Sequence, residues 1–126
     1  MQTLFDLVVY QKAVELRRNI QKIATDFPKQ EEYSLKAQIK RSARSVPANI
    51  AEGYGRFHYQ ENIQFLRMAR GSIFETVDHL GTASEEGYIS NETKQTLTED
   101  CLQLVKVING YISYLKKRKS EMDESP

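Results

Sequence analysis

The chain has no tryptophan, one cysteine, two histidines, three prolines and six glycines in 126 residues, and each scarcity closes off a class of protein. A single thiol, Cys101, cannot close an intramolecular disulfide, which removes the disulfide-stapled secreted scaffolds and fits a reducing, cytoplasmic setting. Few prolines and glycines, with 40% hydrophobic and 28% charged residues, argue against a loop-rich or disordered chain. No apolar run approaches the roughly 20 residues that cross a bilayer, so no membrane span is expected. The opening MQTLFDLVVYQKAVE lacks a basic segment leading into a cleavable apolar one, so no secretory leader is expected either. No segment alternates polar and apolar residues with period two, which leaves strands without a signal.

What is present is helical periodicity, four times over. Val9, Ala13, Leu16, Ile20, Ile23 and Phe27 step by fours and threes until Pro28. Leu35, Ile39, Ala43, Val46 and Ile50 follow an acidic start at Glu31 and Glu32 and run toward Gly53, a residue free to cap a helix. Ile63, Leu66, Ile73, Val77 and Leu80 run toward Gly87, with Arg70 where an apolar residue was due. Leu97, Cys101, Leu104, Ile108, Tyr111 and Leu115 follow Ser90, a good N-cap, and lead into the basic run Lys116 to Lys119. The spacing predicts helices at about 7–26, 32–53, 59–86 and 91–118. Connections this short place neighbours antiparallel, giving one all-α domain over 1–119, an antiparallel up-down four-helix bundle, with 120–126 as a frayed acidic tail.

The second helix contains RSARSVPANIAEGYGR. A proline in a helix interior removes a backbone hydrogen bond, at a cost of about 3 kcal/mol. The apolar spacing of Ala43, Val46 and Ile50 continues across it, so a continuous helix kinked near Pro47 is expected. Pro47, Asn49, Glu52 and Gly53, set among small residues, read as a packing motif that lets a neighbouring helix come close. Arg70 in an apolar seam needs a partner if buried. Folding the helices back about their connections brings Glu15, Arg41, Arg44, Arg70 and Glu75 within one or two turns of each other, a polar network within or between subunits, with Glu15 or Glu75 as the carboxylate for Arg70.

Three blocks, FDLVVYQKAVEL, FPKQEEYSLKAQIKRSARSVPANIAEGYGR and FLRMARGSIFE, together resemble the bacterial four-helix-bundle proteins encoded within intervening sequences of large-subunit ribosomal RNA genes. The likeness runs to about residue 115. It implies a bundle that assembles into a ring-like homopentamer. It also implies kinship with the accessory variability determinant of diversity-generating retroelements, which binds nucleic acid and a reverse transcriptase, and it implies no established catalytic activity. One departure is His58, which stands where the family has Ser or Thr to cap the third helix, although Glu61 keeps its place in the capping box.

The residues themselves offer no reaction. Glu75 and His79 make one pair at spacing four where a di-metal bundle needs several, Cys101 occupies a core position, and EGYGR follows no strand, so neither enzyme activity nor a metal or other cofactor is expected. Converging polar groups for a small-molecule site in the bundle core are likewise missing.

Charge is more informative. The formal total is only +1, yet residues 36–70 hold seven basic residues against Glu52 and Glu61, and residues 75–100 hold seven acidic residues against Lys94. Two readings follow. One is a homo-oligomeric module that binds RNA, DNA or a nucleic-acid-handling protein through Lys12, Arg17, Arg18, Lys22, Lys40, Arg56 and Arg67, with Tyr54, Phe57 and Tyr59 for stacking. The other is a protein-interaction scaffold whose motifs serve only self-assembly.

Overall fold

The computed structural model describes residues 2–123 and contains four helices, α1 (Val8–Ala24), α2 (Leu35–Tyr54), α3 (Tyr59–Glu85) and α4 (Asn91–Asp123), with 3₁₀ turns at Leu4–Asp6 and Lys29–Glu31. Among the described residues there is no strand. Each helix packs on its sequence neighbours, and α4 closes the bundle against α1. Side-chain pairs give the directions. Ser42 of α2 meets Thr76 of α3 while Gly53 meets Asn62, and Arg70 of α3 meets Asn109 of α4 while Gln60 meets Lys119. Partner numbers fall as their own rise, so both pairs of helices run antiparallel.

The core is the apolar stripe of each helix. Val9, Ala13, Leu16, Ile20 and Ala24 of α1 pack with Leu35, Ile39, Ala43, Val46 and Ile50 of α2. On α3 the stripe passes through Ile63, Leu66, Ala69, Ile73, Leu80 and Ala83, and on α4 through Leu97, Cys101, Leu104, Ile108, Ile112 and Leu115. The α3 stripe takes Ala69 where the sequence pattern pointed to position 70, which leaves Arg70 at the edge of the helix rather than in the seam. Two buried hydroxyls meet in the α2–α3 interface, Ser42 Oγ lying 2.8 Å from Thr76 Oγ1: one donates to the other, and the accepting one donates to a carbonyl of its own helix, Ile39 for Ser42 or Ser72 for Thr76.

Gly53 departs from one part of the sequence expectation. α2 runs unbroken through Pro47, which is buried, and through Gly53, which is not a terminator. A Cβ on Gly53 would stand 2.8 Å from both Asn62 Oδ1 and the Phe65 Cβ, so the residue is small because α3 passes against its backbone. The cap falls to Gly55. Gly87, by contrast, is left-handed (φ 77°) and closes α3: the Tyr88 amide donates to the Ala83 carbonyl at 2.8 Å and the Gly87 amide to the Ser84 carbonyl at 3.0 Å.

The helix starts differ too. Ser90 caps α4 by accepting from the Thr93 amide at 3.0 Å, whereas His58 makes no side-chain cap and Glu61 turns to Arg56 instead. α2 begins at Leu35 because the Glu31 carboxylate accepts from the Leu35 amide (3.2 Å) and the Ser34 hydroxyl (2.7 Å), leaving a 3₁₀ turn ahead of it. The helix α4 continues through Asp123, since nothing in KSEMD breaks a helix; the supposed tail is therefore helical over 120–123, and its last three residues lie outside the described residues.

Glu31 also accepts from the Tyr88 hydroxyl at 2.7 Å, tying the α1–α2 connection to the α3–α4 connection. The Ser34 and Tyr88 hydroxyls and the Leu35 amide hold the Glu31 carboxyl below its ordinary range. A depressed carboxylate contributes stability above its unfolded pKa and loses it as pH falls through its folded value. Thermal melts should accordingly give Glu31→Gln a lower midpoint than the parent at neutral pH, with the gap closing in acid. A gap that stays constant would show that the carboxylate charge is idle. At the α2–α3 approach, Gly53→Ala should cost about 1–3 kcal/mol in chemical denaturation, the usual range for overpacking, and an unchanged midpoint would mean that the helices part freely there.

Candidate functional site

The basic residues fall into four places. On α1, Lys12, Glu15 and Asn19 line a groove with Asp100 and Gln103 of α4, and Asn19 and Lys22 continue it along Thr93, Thr96 and Leu97. At about 100° per residue, Arg17 lies on the opposite flank of α1, toward α2, and exposed Arg18 points outward. On α2, Arg41 and Ser42 face α3, which puts Lys36, Lys40 and Arg44 on the flank toward α1. Folded back about the connection, Arg17 stands level with a point between Lys40 and Arg44. Lys36 pairs with Glu32 at 2.8 Å, while Arg17, Arg18, Lys40 and Arg44 make no hydrogen bond or ion pair among the described residues.

The remaining members of the sequence-derived set lie elsewhere. Arg56, at the α2–α3 connection, already pairs with Glu52 (2.8 Å) and Glu61 (3.4 Å) and stacks its guanidinium 4.8 Å from the Phe65 ring centre, so it is poorly placed to take a phosphate. Arg67 is half-buried on α3. Lys12 and Lys22 share their groove with the carboxylates of Glu15, Asp100 and Glu92. The Asp100 carboxyl is raised by burial and then by the neighbouring charges of Glu15 and Glu99. Arg44, which the sequence pattern assigned to a polar network, is instead exposed beside Arg17 and Lys40. Only the pairing of α1 flank with α2 flank reveals that cluster.

Within the single chain the five residues of the expected network form smaller pieces. Arg41 donates to Glu75, and His79 lies 3.2 Å from the same carboxylate oxygen. Burial raises the Glu75 carboxyl, but the hydrogen bonds from His79 and Arg41 outweigh it and hold the group below its ordinary range. Glu15 belongs to the α1–α4 groove. Arg70 is half-exposed and donates to Asn109 Oδ1 at 2.6 Å, so its partner within this chain is an amide of α4 rather than a carboxylate. In the packing motif, Asn49 donates to the Ser45 carbonyl at 2.9 Å, and Glu52 holds Arg56.

At the α2–α3 end the structure gathers aromatic rings. Tyr54, Phe57 and Tyr59 meet Tyr111 and Tyr114 of α4 around a cleft. Phe57 packs edge-on against His58 with ring centres 5.0 Å apart.

No group of three His, Cys, Asp or Glu among the described residues is arranged to hold a metal ion. Cys101 is buried, and burial pushes its thiol up to about 12, far from a reactive thiolate. Among the described residues no helix is long and apolar enough to cross a membrane. A charge-segregated four-helix bundle whose chemistry lies on its faces and at one end is the class of protein these features define. The family model of the 23S rRNA-intervening sequence proteins matches residues 5–110, and the chain belongs to that family. Its fold is similar to the crystal structure of a protein with unknown function from the S23 ribosomal protein family of Bacteroides thetaiotaomicron VPI-5482. That likeness has a TM-score of 0.74 at 27% identity and covers 83% of this chain and 98% of the other. None of the curated proteins matches the chain.

An Arg70 bonded to a neutral, solvent-reachable amide contributes little. In denaturant titrations Arg70→Met should cost under about 1 kcal/mol, and Asn109→Ala the same, with the double variant no worse than either. A loss several times larger would place a carboxylate from another subunit on Arg70.

Proposed function

We propose that this chain is a non-enzymatic, homo-oligomeric helical bundle that binds nucleic acid through the face formed by α1 and α2. The observation that carries the reading is the cluster of Arg17, Arg18, Lys40 and Arg44, none of which makes a hydrogen bond or ion pair among the described residues, Glu32 acting on Lys40 only at longer range. The two helices together hold Lys12, Arg17, Arg18, Lys22, Lys36, Lys40, Arg41 and Arg44 against only Glu15 and Glu52. Glu15 lies on the far flank and Glu52 is engaged by Arg56. Arginine is the residue whose planar fork matches a phosphate, and release of counterions from the backbone drives such association.

Assembly is the second element of the proposal. Phe74 of α3 (50% exposed) and Leu102 of α4 (42% exposed) lie on the outer face of the α3–α4 pair, flanked by half-exposed Val77 and Val105. A face of this kind suits contact with a second copy of the chain. The family likeness makes a pentamer the expected assembly, and a ring would repeat the basic cluster around its axis. The same apolar face supports the scaffold reading, in which self-assembly or a nucleic-acid-handling protein is the only partner.

Salt separates the two. Labelled RNA and DNA titrated at two salt concentrations, alongside light scattering, should give an affinity that falls steeply with salt while the oligomer mass holds. The triple variant Arg17→Glu, Arg18→Glu, Arg44→Glu should lose at least tenfold in affinity and show a shallower salt slope, by roughly 0.7–0.9 for each phosphate contact removed. An oligomer that binds neither nucleic acid at low salt leaves only the scaffold, and a monomer mass removes the assembly.

A further inference from the structure

The cleft at the α2–α3 end exists because α1 is short. Lys12 to Leu16 run beside Asp100 to Leu104, so Val8, where α1 begins, stands level with about Ile108 of α4. Beyond that point α4 has no helical neighbour on this flank. There Tyr111, Tyr114 and Leu115 share a cleft with the segment carrying Gln2 and Leu7, which the Tyr54 hydroxyl fastens by donating to the Gln2 carbonyl at 3.3 Å. What remains is a half-open cleft of about 520 Å³, within the range of small-molecule sites.

We propose that this cleft binds a single unstacked nucleobase. Its walls are rings: Tyr54, Tyr59, Tyr111 and Tyr114, with Phe57 at the mouth, 94% exposed. An aromatic ring left in water beside an aromatic cleft is placed to stack on a planar guest, and base–aromatic stacking is the common mode of single-strand recognition. The lining also holds one amide. Asn62 is 8% exposed, touches the Tyr111 hydroxyl, and its Oδ1 has no hydrogen-bond partner. That oxygen is packed against the Gly53 backbone, so the amide supports Tyr111 from behind the cleft and leaves recognition of the guest to the rings. Charge contributes less. Arg56 at the rim is held by Glu52 and Glu61, and nearby Arg118 lies 3.7 Å from Glu121, so the rings, more than a phosphate clamp, define the guest. The cleft lies at the end of the bundle, away from the α1–α2 cluster. The base could come from a single strand or from a free nucleotide, and only the first source rests on the nucleic-acid reading above.

The test uses the full-length protein and two kinds of probe: the four ribonucleoside monophosphates, and a short single-stranded RNA beside its abasic and duplex counterparts. Binding is followed by amide NMR shifts and calorimetry. Phe57→Ala and Tyr114→Ala remove exposed rings, and thermal melts confirm that they fold. Shifts confined to the cleft residues, with about a tenfold loss of affinity in either variant, establish the site. If only the single strand loses affinity in the variants, and the abasic strand loses it in the parent, the base arrives as part of a strand. If monophosphates bind the cleft while no strand binds anywhere, the base site stands and the basic-face reading falls. If the triple charge reversal abolishes strand binding but monophosphate shifts persist, the two sites are separate and both stand. The proposal is overturned if no monophosphate shifts the cleft and the strand binds parent, Phe57→Ala and Tyr114→Ala alike.

Discussion

The close approach of α2 to α3 is the constraint on which the rest depends. Gly53 lets the two backbones meet beside Asn62 and Phe65, and the Ser42–Thr76 hydroxyl pair closes the same interface farther along. The hydroxyl pair marks one register of the seam, because shifting one helix would break the Ser42–Thr76 bond, although each hydroxyl would keep a carbonyl of its own helix to donate to. With that register set, Arg41 reaches Glu75, and the connection between the helices delivers Tyr54, Phe57 and Tyr59 to one end of the bundle. The flank of α2 that turns away from α3 is then the one that carries Lys40 and Arg44 toward α1.

Charge segregation follows from the same arrangement. Each helix spends one face on the core, so its charged residues must lie on the flanks, and the partner on each flank decides what they meet. Carboxylates are available where α2 faces α3, and Arg41 is neutralised there. Carboxylates are also available along the α1–α4 groove, where Lys12 and Lys22 meet them. Between α1 and α2 the carboxylate at hand is Glu32, which Lys36 holds. The near-neutral total therefore conceals a predominantly basic face.

Much of the architecture was legible in the spacing of apolar residues. Four stripes with no period-two segment leave only a helical bundle, and Ile20, Ile39, Leu66 and Ile108 are buried as their spacing requires. Helix ends were less legible, because they depend on side-chain hydrogen bonds that spacing does not encode. Glu31 delays α2 to Leu35, and Gly53, read both as a stop and as a packing residue, lies inside the helix against α3. Arg70 was misplaced for a different reason. The pattern from Leu66 to Ile73 runs through either position 69 or position 70, and Ala69, being small, gave a weaker signal than the gap at Arg70. The arginine cluster on α1 and α2 and the aromatic cleft could not be read from one helix at a time, since each joins flanks or ends of several helices.

The seam between α1 and α4 differs in kind from the other three. It is the one joining the two ends of the chain, it is lined by grooves, and Asp100 sits there facing Glu15 across like charge. In kinetic terms, contacts between sequence neighbours form at small loop-closure cost, so the α2–α3 hairpin is the natural nucleus and the α1–α4 closure comes last. The order reverses on opening. On that reasoning native-state opening is expected to part α1 from α4 before it disturbs the central hairpin, so that the bundle would behave as a central pair with two outer staves, the last closure being the first to loosen.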